Sequence, residues 1–176
     1  SDVYKRQGQM CRHIVMVLPY CASCDAMEKI IKDRALEFKN LGEYEILNIS
    51  GVDAQHHFHT PTDIKNRIAK LESEGKKTLT LTVNRMLTGS TVEQWDTMIY
   101  LKDTASPQEY DQAIFRLQNQ YVRELSDGTK VIKECLKPQT LLVDFDPHRL
   151  FTMQEQKSLI YNANTCLLYT SDAADE

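Results

Sequence analysis

The sequence predicts an α/β domain built on a mostly parallel, doubly wound sheet. Two observations carry this. Apolar runs of strand length, such as HIVMVLP (13–19) and TLTLTV (78–83), alternate along the chain with segments of helical period. The helices are also separated from the strands by start and stop signals rather than by hairpin turns, and a parallel pair needs such a crossover.

The elements follow in order. HIVMVLP (13–19) reads as a buried strand, and Ser23 is placed to cap a helix with Met27, Ile30, Ile31, Ala35 and Phe38 on one face. YEILNIS (44–50) is a second strand. Thr60 then caps a helix with Pro61 at its first position, Asp63 three residues past the cap, and Ile64, Ile68 and Leu71 on its apolar stripe. Gly75 stops that helix. TLTLTV (78–83) and TMIYL (97–101) are further strands. Ser106-Pro107-Gln108-Glu109 is a capping box opening a helix with Tyr110, Ile114, Leu117 and Tyr121 on one face. Asp127-Gly128 marks a hairpin tip, TLLVDFD (140–146) is a last core strand, and the end after Pro147 is helical.

Composition narrows the class without naming it. The chain is 41% hydrophobic and 26% charged with a net charge of −4, which excludes a histone-like basic coat but not a groove lined by local Lys and Arg. No apolar run approaches the ~18 residues of a membrane span, and no membrane partner is expected. Five cysteines at irregular spacings do not make a disulfide framework, so a cytoplasmic, reducing setting is expected. Both ends look foreign. SDVYKRQ (1–7) and CLLYTSDAADE (166–176) resemble translated sequencing-adapter tails, leaving residues 8–165 as the expected natural segment of a longer protein.

In a parallel sheet, ligands gather beyond the carboxyl ends of the strands. The segment TLTVNRMLTGSTVEQWDTMIYL (80–101) is the most informative of these loops. Its strand ends in Asn84-Arg85, and Leu87-Thr88-Gly89-Ser90-Thr91 combines a permissive backbone with hydroxyls and main-chain N–H groups suited to phosphate oxygens. Further on, YDQAIFRLQNQYV (110–122) sets Gln112 and Arg116 four residues apart on one helical face.

On these segments, together with HIVMVLPYCASCDAMEKII (13–31), the chain resembles the second RecA-like domain of superfamily 2 DEAD/DEAH-type helicases and translocases, especially the motor subunits of restriction systems. Residues 80–101 look like that family's motif V, and QAIFRLQNQ (112–120) like its motif VI, usually Q-x-x-G-R-x-x-R. The resemblance implies a RecA-like, P-loop NTPase helicase fold, and a bacterial ATP-dependent DNA motor whose missing N-terminal RecA-like domain holds ATP and Mg²⁺. RNA as the substrate, and restriction or modification subunits as partners, stay open. It further implies that Gln112 and Arg116 serve catalysis, with Asn119 and Arg123 beside them at ATP. Ser23, Arg85, Thr88, Gly89, Ser90 and Thr91 would meet the nucleic-acid backbone. The chain departs from the motif at Phe115, which replaces the glycine, and at Asn119, which replaces the second arginine; Arg123 is the expected substitute charge. Thr91 stands where motif V often has an acidic residue. The chain contains neither a G-x-x-x-x-G-K-[ST] loop nor a D-E-x-x box, so alone it is not expected to hydrolyse ATP.

Two other readings remain. A non-catalytic nucleic-acid-binding domain of the same fold is compatible with Asn119. The C-x-x-C pair Cys21 and Cys24, at a strand-to-helix junction, is compatible with a thioredoxin-like redox protein, although the helix after Thr60-Pro61 leaves no place for a cis-proline strand. The histidines His56, His57 and His59, and the pair Asp144 and Asp146, are weaker candidates for metal. Trp95 is expected to pack between domains.

Overall fold

The computed structural model describes residues 11–52, 60–83, 92–104, 106–126, 131–137, 139–149, 151–152 and 155. The predicted alternation is present. The elements are β1 (His13–Leu18), α1 (Cys21–Arg34), β2 (Tyr44–Asn48), α2 (Pro61–Ser73), β3 (Lys77–Val83), β4 (Thr97–Tyr100), α3 (Pro107–Leu117), β5 (Val122–Ser126), β6 (Val131–Cys135) and β7 (Leu141–Asp144). A five-stranded sheet has the order β2-β3-β1-β4-β7, and β1 pairs in parallel with both β3 and β4, as β2 does with β3. The α/β class and the parallel sheet therefore stand as expected. The chain divides into two compact units, 1–143 and 144–176.

Strand β3 shows how the sheet is covered on both sides. Leu79 and Leu81 point to one face, where they join Met16, Leu18, Cys24 and Ile31 in a core under α1. The alternate residues Thr78, Thr80 and Thr82 are equally buried and point the other way. Each threonine hydroxyl has a partner there: the His13 ring, the Trp95 indole N–H at 3.2 Å, and the Ser50 hydroxyl. A polar residue on a buried face is tolerated because it is hydrogen-bonded.

Local signals set the helix ends. The Thr60 hydroxyl accepts from the Asp63 N–H and the Asp63 carboxylate from the Thr60 N–H, so the predicted capping box is closed at both contacts. Gly75 takes a φ of 74°, the left-handed turn that releases the chain from α2 into β3. At α3, Ser106 accepts from Glu109 N–H, but the Glu109 carboxylate turns away to Lys102 and Thr104, so only half of that box forms. A nearby cation outcompetes the backbone for it.

Several sequence boundaries need correction. Helix α1 starts at Cys21 with Tyr20 as its cap, so Ser23 lies in the first turn and is not the cap. It ends at Arg34, leaving Ala35 and Phe38 beyond it, and Ile30 faces solvent. Helix α3 ends at Leu117, so Tyr121 is not on its stripe. The tyrosine instead donates its hydroxyl to Glu72 at 2.9 Å. β5 and β6 form the expected antiparallel hairpin, paired from Val122↔Cys135 to Ser126↔Val131; its tip, Asp127-Gly128, lies outside the described residues. Trp95 is buried in the domain's own core rather than presented to a second domain.

Candidate functional site

The proposed site residues that are described fall at two ends of the sheet. Ser23 lies at the carboxyl edge, where β1 enters α1, and β3 ends at the same edge at Val83. Here the buried Asn48 side chain donates to Asp25 at 2.8 Å and to Glu28 at 2.9 Å, tying β2 to α1. Asp25 also accepts the Val52 N–H, and the Ser50 hydroxyl accepts the Val83 N–H at 3.2 Å. These bonds fix where the chain leaves β3. The Ser23 N–H donates to the Tyr20 carbonyl at 3.0 Å, so its main-chain donor is already engaged. Arg85, Thr88, Gly89, Ser90 and Thr91 lie outside the described residues, as do His56, His57 and His59.

Helix α3 carries the second group. Its inward face is Tyr110, Ala113 and Leu117, with Tyr110 edge-on to Tyr100 of β4 at 5.1 Å between ring centres. Gln112, Phe115 and Arg116 share the opposite face, and Phe115 is 71% exposed. Arg116 is half-buried, and burial lowers its pKa, though a guanidinium remains charged at physiological pH. The Asn119 side chain donates to the Arg116 carbonyl at 3.0 Å, closing the end of the helix. Arg123 is in β5 of the hairpin and not one helical turn beyond Asn119. The sequence pattern carried the helical stripe to Tyr121, four residues past its end at Leu117.

A buried lysine that the sequence did not single out holds this end of α3. Lys137 is 8% exposed, and its ammonium donates to the carbonyls of Glu93 (2.8 Å), Trp95 (3.0 Å) and Leu117 (2.9 Å). Burial lowers its pKa, opposed by the carboxylates of Asp96 and Glu93. Because Trp95 lies two residues before β4, these bonds place the end of α3, and Arg116 with it, toward the amino edge of the sheet. Ser23 and Arg116 are therefore not brought together. Rules for the carboxyl ends of strands locate the first group and miss the second.

Beside Lys137 lies a buried polar cluster. Asp96 accepts from the N–H groups of Arg12 and His13, at 2.8 and 3.4 Å, and burial raises its carboxyl pKa. The His13 ring bonds Thr78 at 3.0 Å and lies 3.8 Å from Glu72. Burial lowers its pKa against the pull of the Glu72 and Asp96 carboxylates. A histidine and an aspartate bounding otherwise apolar strands were the available sequence signals. Lys137, in a loop before Pro138, offered none.

The remaining candidates resolve to structure. Cys21 is exposed but Cys24 is buried in the core, and burial together with Cys21 and Asp25 pushes the Cys24 thiol up to about 12. Burial of the second thiol alone does not decide the matter, but Thr60-Pro61 opens α2 rather than a strand, and no cis peptide bond occurs among the described residues, which argues against the thioredoxin-like reading. In the second unit, the Arg149 guanidinium pairs with Asp144 at 3.3 Å and Asp146 at 3.6 Å, occupying the carboxylates proposed for metal. Among the described residues no group of three or more His, Cys, Asp or Glu is arranged to hold a metal ion. Nor is any described helix long and apolar enough to cross a membrane.

Fold and site together define a parallel α/β domain with polar loops at its carboxyl edge and an arginine-bearing helix directed to the other. No family profile matches the chain. It is 26% identical over 147 residues to the C-terminal part of a putative type II restriction enzyme and methyltransferase from Mycoplasma pneumoniae. That alignment takes in 84% of this chain and 19% of the other, so the chain spans about a fifth of its relative's length. Among solved structures, the C-terminal part of the Fun30 ATPase domain aligns with 88% of this chain and 43% of its own, at 14% identity and a TM-score of 0.41, a loose superposition.

Proposed function

We propose that this chain is the C-terminal RecA-like motor domain of an ATP-dependent DNA helicase or translocase belonging to a bacterial restriction-type system. The observation that carries the reading is the 147-residue likeness to a putative restriction enzyme and methyltransferase, which takes in the segments similar to motifs V and VI. On this reading DNA is the substrate, and restriction or modification subunits are the partners. ATP and Mg²⁺ are held by a separate N-terminal RecA-like domain.

The residues present fit a nucleotide supplied from outside. Arg116 keeps its charge on a helix face that also carries the exposed Phe115, an aromatic of the kind a neighbouring domain covers. Bound ATP would supply the phosphoryl group whose transfer to water drives movement. Arg116 stabilises the charge that develops on the γ-phosphate oxygens, and Gln112, on the same face, orients the site. Arg85, Thr88, Gly89, Ser90 and Thr91 hold phosphates of the DNA strand, with Ser23 beside them at the carboxyl edge. On this reading nucleotide and DNA do not compete for one surface, since Ser23 and Arg116 lie at different ends of the sheet.

A second reading has one observation in its favour. Asn119, in place of the motif's second arginine, is used to cap α3, and Arg123 lies on a different element. A domain that binds DNA without supporting turnover would look the same.

The test is binding of the chain to mixed-sequence single-stranded DNA, followed by fluorescence anisotropy across a salt series. Affinity should fall steeply as salt rises, with a slope of roughly −0.7 per phosphate contacted. Arg85→Ala and Thr88→Ala should weaken binding alike on unrelated sequences, since backbone contacts carry no sequence information. Strong dependence on base sequence, or no binding at low salt, would count against the proposal.

A further inference from the structure

We propose that His13, Glu72 and Tyr121 form a proton-operated latch at the amino edge of the sheet, in which charging the buried imidazole draws Glu72 toward β1 and frees Tyr121 from α2. The inference stands on the described core alone and is independent of the motor reading.

His13 opens β1 and is 3% exposed. Its Nδ1 lies 3.0 Å from the Thr78 hydroxyl, but its Nε2 has no hydrogen-bond partner among the described residues. That nitrogen faces Oε1 of Glu72, on α2, at 3.8 Å, too far for a hydrogen bond. A neutral imidazole carries one proton. Shared with Thr78 at Nδ1, that proton leaves Nε2 a bare lone pair opposite a carboxylate, and the gap stays open. A second proton, taken from water at Nε2, turns this repulsion into a charge-assisted bond of about 2.7–2.9 Å. The Glu72 side chain is 14% exposed, which gives solvent a way to the pair.

Closing that gap moves the Glu72 carboxylate by about 1 Å. Its other oxygen accepts the Tyr121 hydroxyl at 2.9 Å, and a shift of that size is enough to break the bond. Tyr121 stands between α3 and β5, and its carbonyl accepts the N–H of Leu136, the residue after β6, at 2.9 Å. Releasing its hydroxyl therefore loosens the root of the β5–β6 hairpin from α2. The groups around the ring set the threshold. Burial, the largest effect, and the Arg12 guanidinium, 3.7 Å from the same Glu72 oxygen, oppose the charge on His13. The Glu72 and Asp96 carboxylates favour it; Asp96 accepts the N–H groups of Arg12 and His13 and also faces Lys137. Burial prevails, so the latch is shut at neutral pH and opens below the ordinary histidine value of 6.5.

The test is an NMR titration of the chain from neutral pH downward, following the His13 ring and the Leu136 amide. In the wild type both signals should move with one shared midpoint, below 6.5. Glu72→Gln should lower the His13 midpoint and abolish the Leu136 response. Tyr121→Phe removes a single hydroxyl and should raise the His13 midpoint, because a bond that protonation breaks must itself oppose protonation. It should also abolish the Leu136 response. A histidine of structural value alone would titrate with Leu136 unmoved, or keep its midpoint in Tyr121→Phe, and either result overturns the inference. An imidazole that stays neutral until the domain unfolds overturns it too. Should Glu72→Gln fail to fold, the sign of the shift in Tyr121→Phe decides.

Discussion

Replacing Cys24 by serine should destabilise the domain, whereas the same change at Cys21 should not. Cys24 has no exposed surface and packs with Met16, Leu18, Ile31, Leu79 and Leu81. A serine there puts a hydroxyl where a weakly polar sulfur sat. The Tyr20 carbonyl, one turn back, is the natural acceptor, but it already receives the N–H groups of residues 23 and 24 at 3.0 and 3.3 Å. An imperfectly satisfied buried hydroxyl costs about 1–3 kcal/mol, and competition for Tyr20 rather than outright isolation favours the lower half of that range. For a domain of this size each kcal/mol lowers Tm by about 2–4 °C, giving a fall of roughly 2–8 °C. Cys21 is exposed, so its replacement should stay within about 0.5 kcal/mol. Urea titration gives the two free energies, and alkylation by iodoacetamide gives the chemistry. With its thiol pushed up to about 12, Cys24 should be inert in the native protein at neutral pH. Rapid alkylation of Cys24 there, or equal costs for the two substitutions, would refute the packing argument.

Other consequences follow from the same contacts. Thr60→Ala breaks a reciprocal capping box and should cost about 1 kcal/mol in urea denaturation, with an unchanged m-value. His13 has its pKa lowered below the ordinary 6.5, so the denatured chain takes up this proton before the native one does. Its contribution is complete above pH 6.5 and is lost as pH falls from there through the native pKa; His13→Asn should flatten that slope between pH 7 and 5.5. Asp96 acts with the opposite sign, because its raised pKa lets the native state bind the proton first as pH falls.

What was legible in the sequence, and what was not, divides by range of interaction. Thr60, Pro61, Asp63 and Gly75 act within one turn of themselves, and each did what its spacing predicted. The Ser106 box half-failed because Lys102 and Thr104 claimed Glu109, a contact that helix signals alone do not contain. Ser23 lost the cap to Tyr20 because the extended backbone of Tyr20, at φ −137°, already ends β1's connection, and no side-chain bond was needed. Lys137 could not have been found by any local rule, since its carbonyls come from residues 20 to 44 positions away. The strands were legible because a sheet buried on both faces demands apolar or hydrogen-bondable residues at every position. The pairing of α3 with the 93–95 segment was not, because backbone carbonyls leave no trace in side-chain pattern.

The most direct test of the motor account is the DNA-stimulated ATPase of a protein joining this chain to its ATP-binding domain, with Arg116 intact and replaced by alanine. An arginine that stabilises γ-phosphate charge is worth roughly a thousandfold or more in rate. Arg116→Ala should therefore lower kcat by that order while changing ATP affinity far less, and Arg116→Lys should recover little, because an ammonium lacks the guanidinium's planar fork. Wild-type turnover that is unaffected by Arg116→Ala, or a wild type that binds DNA and never hydrolyses ATP, would contradict it.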